Sequence, residues 1–242
     1  MMKYIRILAV ADIHSPHYLN MFIASVSKIA SANNRIDLVI LAGDIVDRGN
    51  VAAMRPVLDA LGKIVRHCEA PLIAVFGNEE YLNYEGEFIK RYPEVVWLND
   101  DYRLVTLQNS MKLCIVGSRG VLTKPTAWQS RHIPNIYRIY RERIKRLREL
   151  LRSCREHGTT VLVTHYAPTY ATVYGEPHTI YSFLGYQLLE TLNSSECPHI
   201  AIHGHAHNAK VLHAVVNGVN VYNVALPARR DVTVIELAIG TS

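Results

Sequence analysis

The sequence predicts an α/β fold of two facing mixed sheets with helices on their outer faces, in a single domain over residues 1–242. Three features carry that expectation. Short apolar segments alternate with amphipathic, helix-length segments in the first part of the chain, as in βαβ units of a parallel sheet. Close-spaced strand segments then follow. Hydrophobic residues make up 49% of the 242, enough for a packed core and against global disorder.

Taken in order, residues 4–10 read as a strand, 21–32 have helical spacing, and 37–41 form a short buried strand that ends at Gly43. Residues 51–68 read as a helix with Pro56 in its first turns, and 72–76 as another buried strand, ending at Gly77. The segments 95–98, 103–107 and 112–117 are expected to pair antiparallel. A long helix is expected over 136–157, and strands over 161–164, 199–203, 211–216, 219–224 and 232–238 complete a second strand series. Asn217-Gly218 is a hairpin signal, because both residues tolerate positive φ. The stretch 118–135 is expected to form a mobile loop or small cap.

The net charge is +5, which suits an anionic substrate. None of Cys68, Cys114, Cys154 and Cys197 forms a CxxC pair, so a zinc ribbon or thioredoxin-like motif is absent. Reduced core thiols in a cytosolic protein are expected. The opening MMKYIRILAVADIH is broken by Arg6 and reads as a strand rather than a signal peptide, and no uncharged run is long enough to cross a bilayer. A soluble, cytoplasmic protein without membrane partners is expected.

Five segments carry chemistry, each where an expected strand ends: Asp12-Ile13-His14, Gly43 to Asp47, Gly77 to Glu80, Thr164-His165-Tyr166 and Gly204 to His207. Ligand sites of open α/β sheets form outside the carboxyl ends of strands, so all five can converge on one crevice. Asp12, His14, Asp44, Asn78, His165, His205 and His207 form a mixed oxygen and imidazole donor set. That set suits manganese, iron, zinc, cobalt or nickel better than calcium or magnesium. It is too large for one tetrahedral site but sufficient for two ions sharing a carboxylate, about 3.5–4 Å apart.

The order DxH, GDxxD, GN, H, GHxH from Asp12 to His207 resembles the calcineurin-like metallophosphoesterases, and GDIVDRG over 43–49 resembles the form in protein serine/threonine phosphatases. The resemblance implies a four-layer αββα sandwich with a binuclear metal centre, manganese first among the candidate ions. It implies one ion on Asp12, His14 and His207, a second on Asn78, His165 and His205, and Asp44 bridging both with a hydroxide that attacks the phosphate ester. By the same resemblance Asp47 supports the ligands and Arg48 contacts phosphate.

One position departs from the family. Where GNH is usual, this chain has GNEE, with Glu79 in place of a histidine that contacts phosphate and protonates the leaving group. Loss of that acid points to phosphodiesters over alkyl monoesters, whether Glu79, lying near Asp47, substitutes as the acid or stays ionised and restricts turnover to good leaving groups. His17 lies on the same loop as His14, within reach of a small phosphate-ester substrate, and Tyr166 and Tyr170 are candidate pocket walls. His203 is read as structural.

The 136–157 helix carries eight basic residues against three acidic ones and reads as a solvated face with pairs such as Glu142–Arg146. Nucleic acid is the other partner it suits, and a DNA or RNA nuclease is one alternative function. A non-catalytic scaffold of the same fold is another, against which the complete ligand set argues.

Overall fold

The computed structural model describes residues 3–32, 35–108 and 110–239. The first sheet is built on β1 (Lys3–Val10), β2 (Leu38–Ala42) and β3 (Leu72–Val75), which lie parallel and are joined by the crossover helices α1 (Leu19–Ser31) and α2 (Met54–Cys68). β2 and β3 are buried at every position, as strands covered on both faces must be. After α3 (Glu85–Arg91), β4 (Val96–Leu98) adds parallel to β3. The chain then enters the second sheet through β5 (Asp101–Thr106) and β6 (Lys112–Ser118). Two helices follow, α4 (Ala127–His132) and α5 (Ile136–Glu156), and then β7 (Thr159–Thr164), β8 (Ile200–His203), β9 (His213–Val216) and β10 (Val219–Asn223). A short α6 (Leu226–Arg229) leads to β11 (Thr233–Ile239).

The sheet orders are β11-β1-β2-β3-β4 and β5-β6-β7-β8-β10-β9. Between the sheets, Ile5, Ile7, Ile40 and Ile73 meet Ile115, Val163 and Ile202. Outside the first sheet, Phe22 and Val26 of α1 and Leu58 and Leu61 of α2 pack on Leu8, Val39 and Leu41. Outside the second, Leu147 and Leu151 of α5 cover Val116 and Leu162. Each such buried side chain stabilises the fold by about 1.5–3 kcal/mol. The layers are α, β, β, α, as expected.

Two expectations about the strands are corrected. The segments over 95–117 do not form one antiparallel group. β4 is parallel within the first sheet, and only β5 and β6 pair antiparallel. Asp100, in the left-handed region at φ 58°, marks the turn at which the chain changes sheets. The strand over 232–238 does not end the second series, because β11 runs antiparallel to β1 at the edge of the first sheet. Its buried Ile235 and Leu237 face the inter-sheet core, while Val234 and Glu236 are exposed. The stretch 118–135 contains α4, which opens on a capping box: Gln129 N–H donates to the Thr126 hydroxyl, and Thr126 N–H to Gln129 Oε1.

A third correction concerns the cysteines. Cys114 of β6 and Cys154 of α5 form a disulfide in the α5–sheet interface, with Cα atoms 5.4 Å apart, while Cys68 and Cys197 are free. A spacing of 40 residues gives no local signal of pairing, and the two meet only because α5 packs across β6. In the chain-entropy account this cross-link contributes about 4 kcal/mol. Cys154→Ala is therefore expected to lower the denaturant midpoint substantially, and thiol titration of the unfolded, unreduced protein should find only Cys68 and Cys197.

Candidate metal centre

β1, β2 and β3 of one sheet and β7 and β8 of the other end along a shared seam. The sheets are stitched there by Ala11 N–H to the Val224 carbonyl at 3.0 Å. Beyond the strand ends the backbone turns sharply, and Asp12, His14, Asp44 and His205 have φ of 59°, 42°, 48° and 69°. Left-handed conformations at non-glycine residues cluster where function requires them and persist only when the surroundings fix them. Here Asp12 N–H donates to the Gly43 carbonyl (3.0 Å) and His14 N–H to the Asp44 carbonyl (2.9 Å). His205 N–H donates to Asp12 Oδ2 at 2.9 Å. Glycine is required at two of these turns: a Cβ on Gly77 would collide with Asp44 Oδ1, and one on Gly204 with Asp12 Oδ2.

The seven expected ligands come together. Asp12, His14 and His207 can each offer a donor atom with all such atoms within 4.8 Å of one another, and so can Asp12, Asp44, His165 and His205. His207 Nε2 is 3.0 Å from Asp12 Oδ1. His165 Nε2 is 3.1 Å from Asn78 Oδ1 and 3.4 Å from Asp44 Oδ2. Asp44 Oδ2 also lies 3.8 Å from His14 Nε2, placing this carboxylate between the two groups.

Hydrogen bonding fits these residues to cations. His165 Nδ1 donates to the Ala42 carbonyl at 3.1 Å, which commits Nε2 to face two oxygens that are themselves acceptors. A proton or a metal ion must lie between them. His205 is held the opposite way, its Nε2 donating to the Phe183 carbonyl at 3.2 Å, which leaves Nδ1 with a free lone pair for an ion. Fixing the remote nitrogen on a carbonyl is the usual device for orienting a ligand histidine. His14 Nε2 is buried with no hydrogen-bond partner, as expected of an atom reserved for an ion.

The electrostatics agree. Burial pulls His165 down, but the Asp44 and Asp12 carboxylates outweigh it and raise its pKa to about 9. Burial would raise Asp44, yet His165 and His14 hold it below the usual carboxylate range. Burial and the neighbouring His165 lower His205 to about 4, so its ring is neutral and free to ligate.

Glu80, absent from the sequence-derived site, organises the centre. Fully buried, its carboxylate accepts four backbone N–H groups: Ile45 (2.6 Å), Val46 (3.1 Å), Asp44 (2.9 Å) and Gly77 (2.6 Å). It thereby joins the loop carrying Asp44 to the loop carrying Asn78. Burial and the adjacent Asp44 charge push it up to about 7 against the pull of these amides. Arg119, also unanticipated, is a buried strut between the Gly77 carbonyl and Glu85.

The other expected site residues lie at the rim. Glu79 Oε2 accepts Arg48 N–H at 2.9 Å, and Oε1 accepts the Asn78 amide at 3.3 Å, which turns Asn78 Oδ1 toward His165. Asp47 Oδ1 is 3.8 Å from His14 Nδ1, and the Arg48 side chain is 83% exposed beside Asp47. His17 is exposed, edge-on to Tyr18. Tyr166 is buried with its ring 4.9 Å from that of His205, whereas Tyr170 packs on Tyr181 and meets the Thr123 hydroxyl. His203 is bonded at both ring nitrogens, to the Thr172 hydroxyl and the Gly204 carbonyl, and is structural.

Most basic side chains of α5 are solvent-exposed, as expected, but several also tie the helix to the body of the fold. Arg148 and Arg152 grip the buried Glu196, Arg143 binds Asp100, and Arg146 reaches the Asp100 carbonyl. Glu142 pairs with Arg138 at 3.0 Å rather than with Arg146.

An αββα sandwich with donor sets for two ions at its strand ends defines a class of metal-dependent hydrolases. The chain matches the model of the calcineurin-like phosphoesterase family over residues 5–209 and belongs to that family, hydrolases of phosphate esters with a dinuclear metal centre. Phosphopantetheinyl hydrolase from Mycobacterium tuberculosis is structurally similar, with a TM-score of 0.61 and 18% identity over 93% of this chain and 90% of that one. A dimetal phosphatase from Danio rerio gives 0.56 and 10% over 97% and 92%. A 5'-nucleotidase precursor from Thermus thermophilus gives 0.54 and 13%, where 98% of this chain spans 54% of that one. No curated protein sequence matches. Among the described residues no helix is long and apolar enough to cross a membrane.

Proposed function

We propose that the chain hydrolyses phosphodiesters, with one divalent ion held by Asp12, His14 and His207, a second by Asn78, His165 and His205, and Asp44 shared between them. Manganese is the ion proposed first, since mixed oxygen and imidazole donors suit it, with iron, zinc, cobalt and nickel as alternatives. When bound, such ions supply activated water and neutralise charge on the phosphoryl group. The protein's own part is positioning. Glu79 holds the Asn78 amide, Glu80 holds the Asp44 loop, and the carbonyls of Ala42 and Phe183 fix the two histidine rings. Asp47, Arg48 and His17 are proposed as outer contacts of the ester.

The observation that carries the diester reading is Glu79. Its two carboxylate oxygens accept the Arg48 N–H and the Asn78 amide, and in this reading it serves as an acceptor rather than as the proton donor. Its negative charge at the mouth opposes a dianionic monoester more than a monoanionic diester. Without an acid, turnover favours leaving groups that depart as stable anions. General acid catalysis is worth about 10²–10⁴-fold, which sets the contrast. An aryl phosphodiester is expected to exceed an alkyl phosphomonoester in kcat/KM by about that factor with manganese, and Glu79→His to raise monoester turnover. Preference of the unaltered protein for alkyl monoesters, undiminished in Glu79→Gln, would overturn the reading.

A further inference from the structure

Two large aromatic side chains stand in solvent on neighbouring helices: Trp128 of α4 is 60% exposed and Tyr137 at the start of α5 is 59% exposed. Trp128 is not loose. One face of its ring stacks on His132 (4.9 Å between centroids, 23° between planes), and His132 Nδ1 is bonded to the Trp128 carbonyl at 2.9 Å. The other face is available. Between α4 and α5 lies a cavity of about 370 Å³ whose walls include Arg131, Arg138, Arg141 and Tyr137, and no acidic residue. Arg138 is paired with Glu142, whereas Arg131 and Arg141 have no carboxylate partner among the described residues. These cations remain free while several others of α5 tie the helix to the body of the fold. The platform also joins the wall of the metal centre: Gln129 of α4 donates to the Tyr166 hydroxyl at 3.1 Å, and Tyr166 stands against His205.

We infer that α4 and the first turns of α5 bind single-stranded nucleic acid, with bases stacking on Trp128 and Tyr137 and phosphates seated on Arg131 and Arg141. Stacking on an open aromatic face needs unpaired bases, and a phosphate chain supplies the complementary charge. This deepens the diesterase reading by naming the diester, yet binding itself requires no turnover.

The test is fluorescence titration of metal-free protein with a 15-residue thymidine oligonucleotide, a matching duplex and an abasic strand of equal length. Trp97, the other of the two tryptophans, is stacked on Phe76, so quenching reports on Trp128. Expected are quenching by the oligonucleotide and weaker binding of the duplex and the abasic strand. Trp128→Ala, followed by anisotropy of a labelled strand, should lose affinity on the order of ten-fold. The log–log salt slope should be about −1.4 for the two cations and should shrink in Arg131→Gln/Arg141→Gln. Both variants should turn over a small aryl diester normally. Equal binding of abasic strand or anionic vesicles, or variants that bind as the unaltered protein does, would overturn the inference. A strand that binds to a protein inactive on aryl diesters would instead sink only the diesterase reading.

Discussion

Asp44→Asn is expected to lower kcat/KM by about 10³-fold and to reduce bound metal from two ions per chain to at most one, because one side chain serves both groups of ligands. Asp44 Oδ2 lies 3.4 Å from His165 Nε2 and 3.8 Å from His14 Nε2, while Oδ1 accepts Glu79 N–H at 2.8 Å. Asparagine keeps the shape and can keep the Glu79 bond, so the loop should fold unchanged. What it removes is a buried negative charge that two cations would share. The charge also acts without metal, since Asp44 is the chief reason that His165 is raised to about 9 against burial. In the substituted protein His165 should therefore titrate at lower pH, visible by NMR in metal-free samples. In the unaltered protein that proton must leave when a metal enters, so uptake at this position should strengthen as pH rises toward 9. Elemental analysis and aryl-diester kinetics provide the check. At most one weakly bound ion per chain at saturating manganese, with Asp44→Asn fully active, would exclude the paired-metal reading. His165→Ala and His207→Ala should each weaken one position only.

The candidate ligands were legible in the sequence because each follows a short, mostly buried strand, and strand ends of a parallel sheet share one edge. Local pattern sufficed for Asp12, Asp44, Asn78, His165, His205 and His207, all of which meet at the seam. Long-range partnerships were not legible. Nothing in residues 232–238 tells that β11 returns to a strand more than two hundred positions earlier, and the alternation of Ile235 and Leu237 suits an edge strand of either sheet. The charge of α5 pointed to solvent, where most of it lies, but its pairs with Asp100 and Glu196, which hold Arg143, Arg148 and Arg152, are distant in sequence. The Cys114–Cys154 bond is hidden for the same reason. The Thr126 capping box, in contrast, was a local signal for α4 that could have been read.

In the GNEE segment the missing histidine singles out Glu79, yet the neighbouring glutamate bears more of the structure. Adjacent residues point in different directions on leaving a strand, and composition does not tell which of two glutamates turns inward. The outcome follows from backbone demand. The turn after β2 presents three successive N–H groups, of Asp44, Ile45 and Val46, with no strand to receive them, and Gly77 adds a fourth. Buried donors without acceptors are costly, and one carboxylate with two oxygens can satisfy all four.

Glu80→Ala is therefore expected to destabilise the fold by about 4 kcal/mol or more, a large part of a typical 5–15 kcal/mol total. Each orphaned N–H costs about 1–3 kcal/mol, and water entering the vacated space offsets part of the sum. Glu80→Gln should be intermediate. Its single amide oxygen can accept from two of the four donors, while its NH₂ group faces the others as a donor against donors. Both changes should also loosen metal binding, because the Asp44 and Asn78 loops lose the group that joins them. Glu79→Gln supplies the comparison: it leaves these four bonds intact and should change stability by less than about 0.5 kcal/mol. Denaturant unfolding with and without manganese separates the two contributions, since bound ions stabilise only the folded state. A Glu80→Ala midpoint within the scatter of the unaltered protein would mean that the four N–H groups find other acceptors, and that this carboxylate does not hold the two loops together.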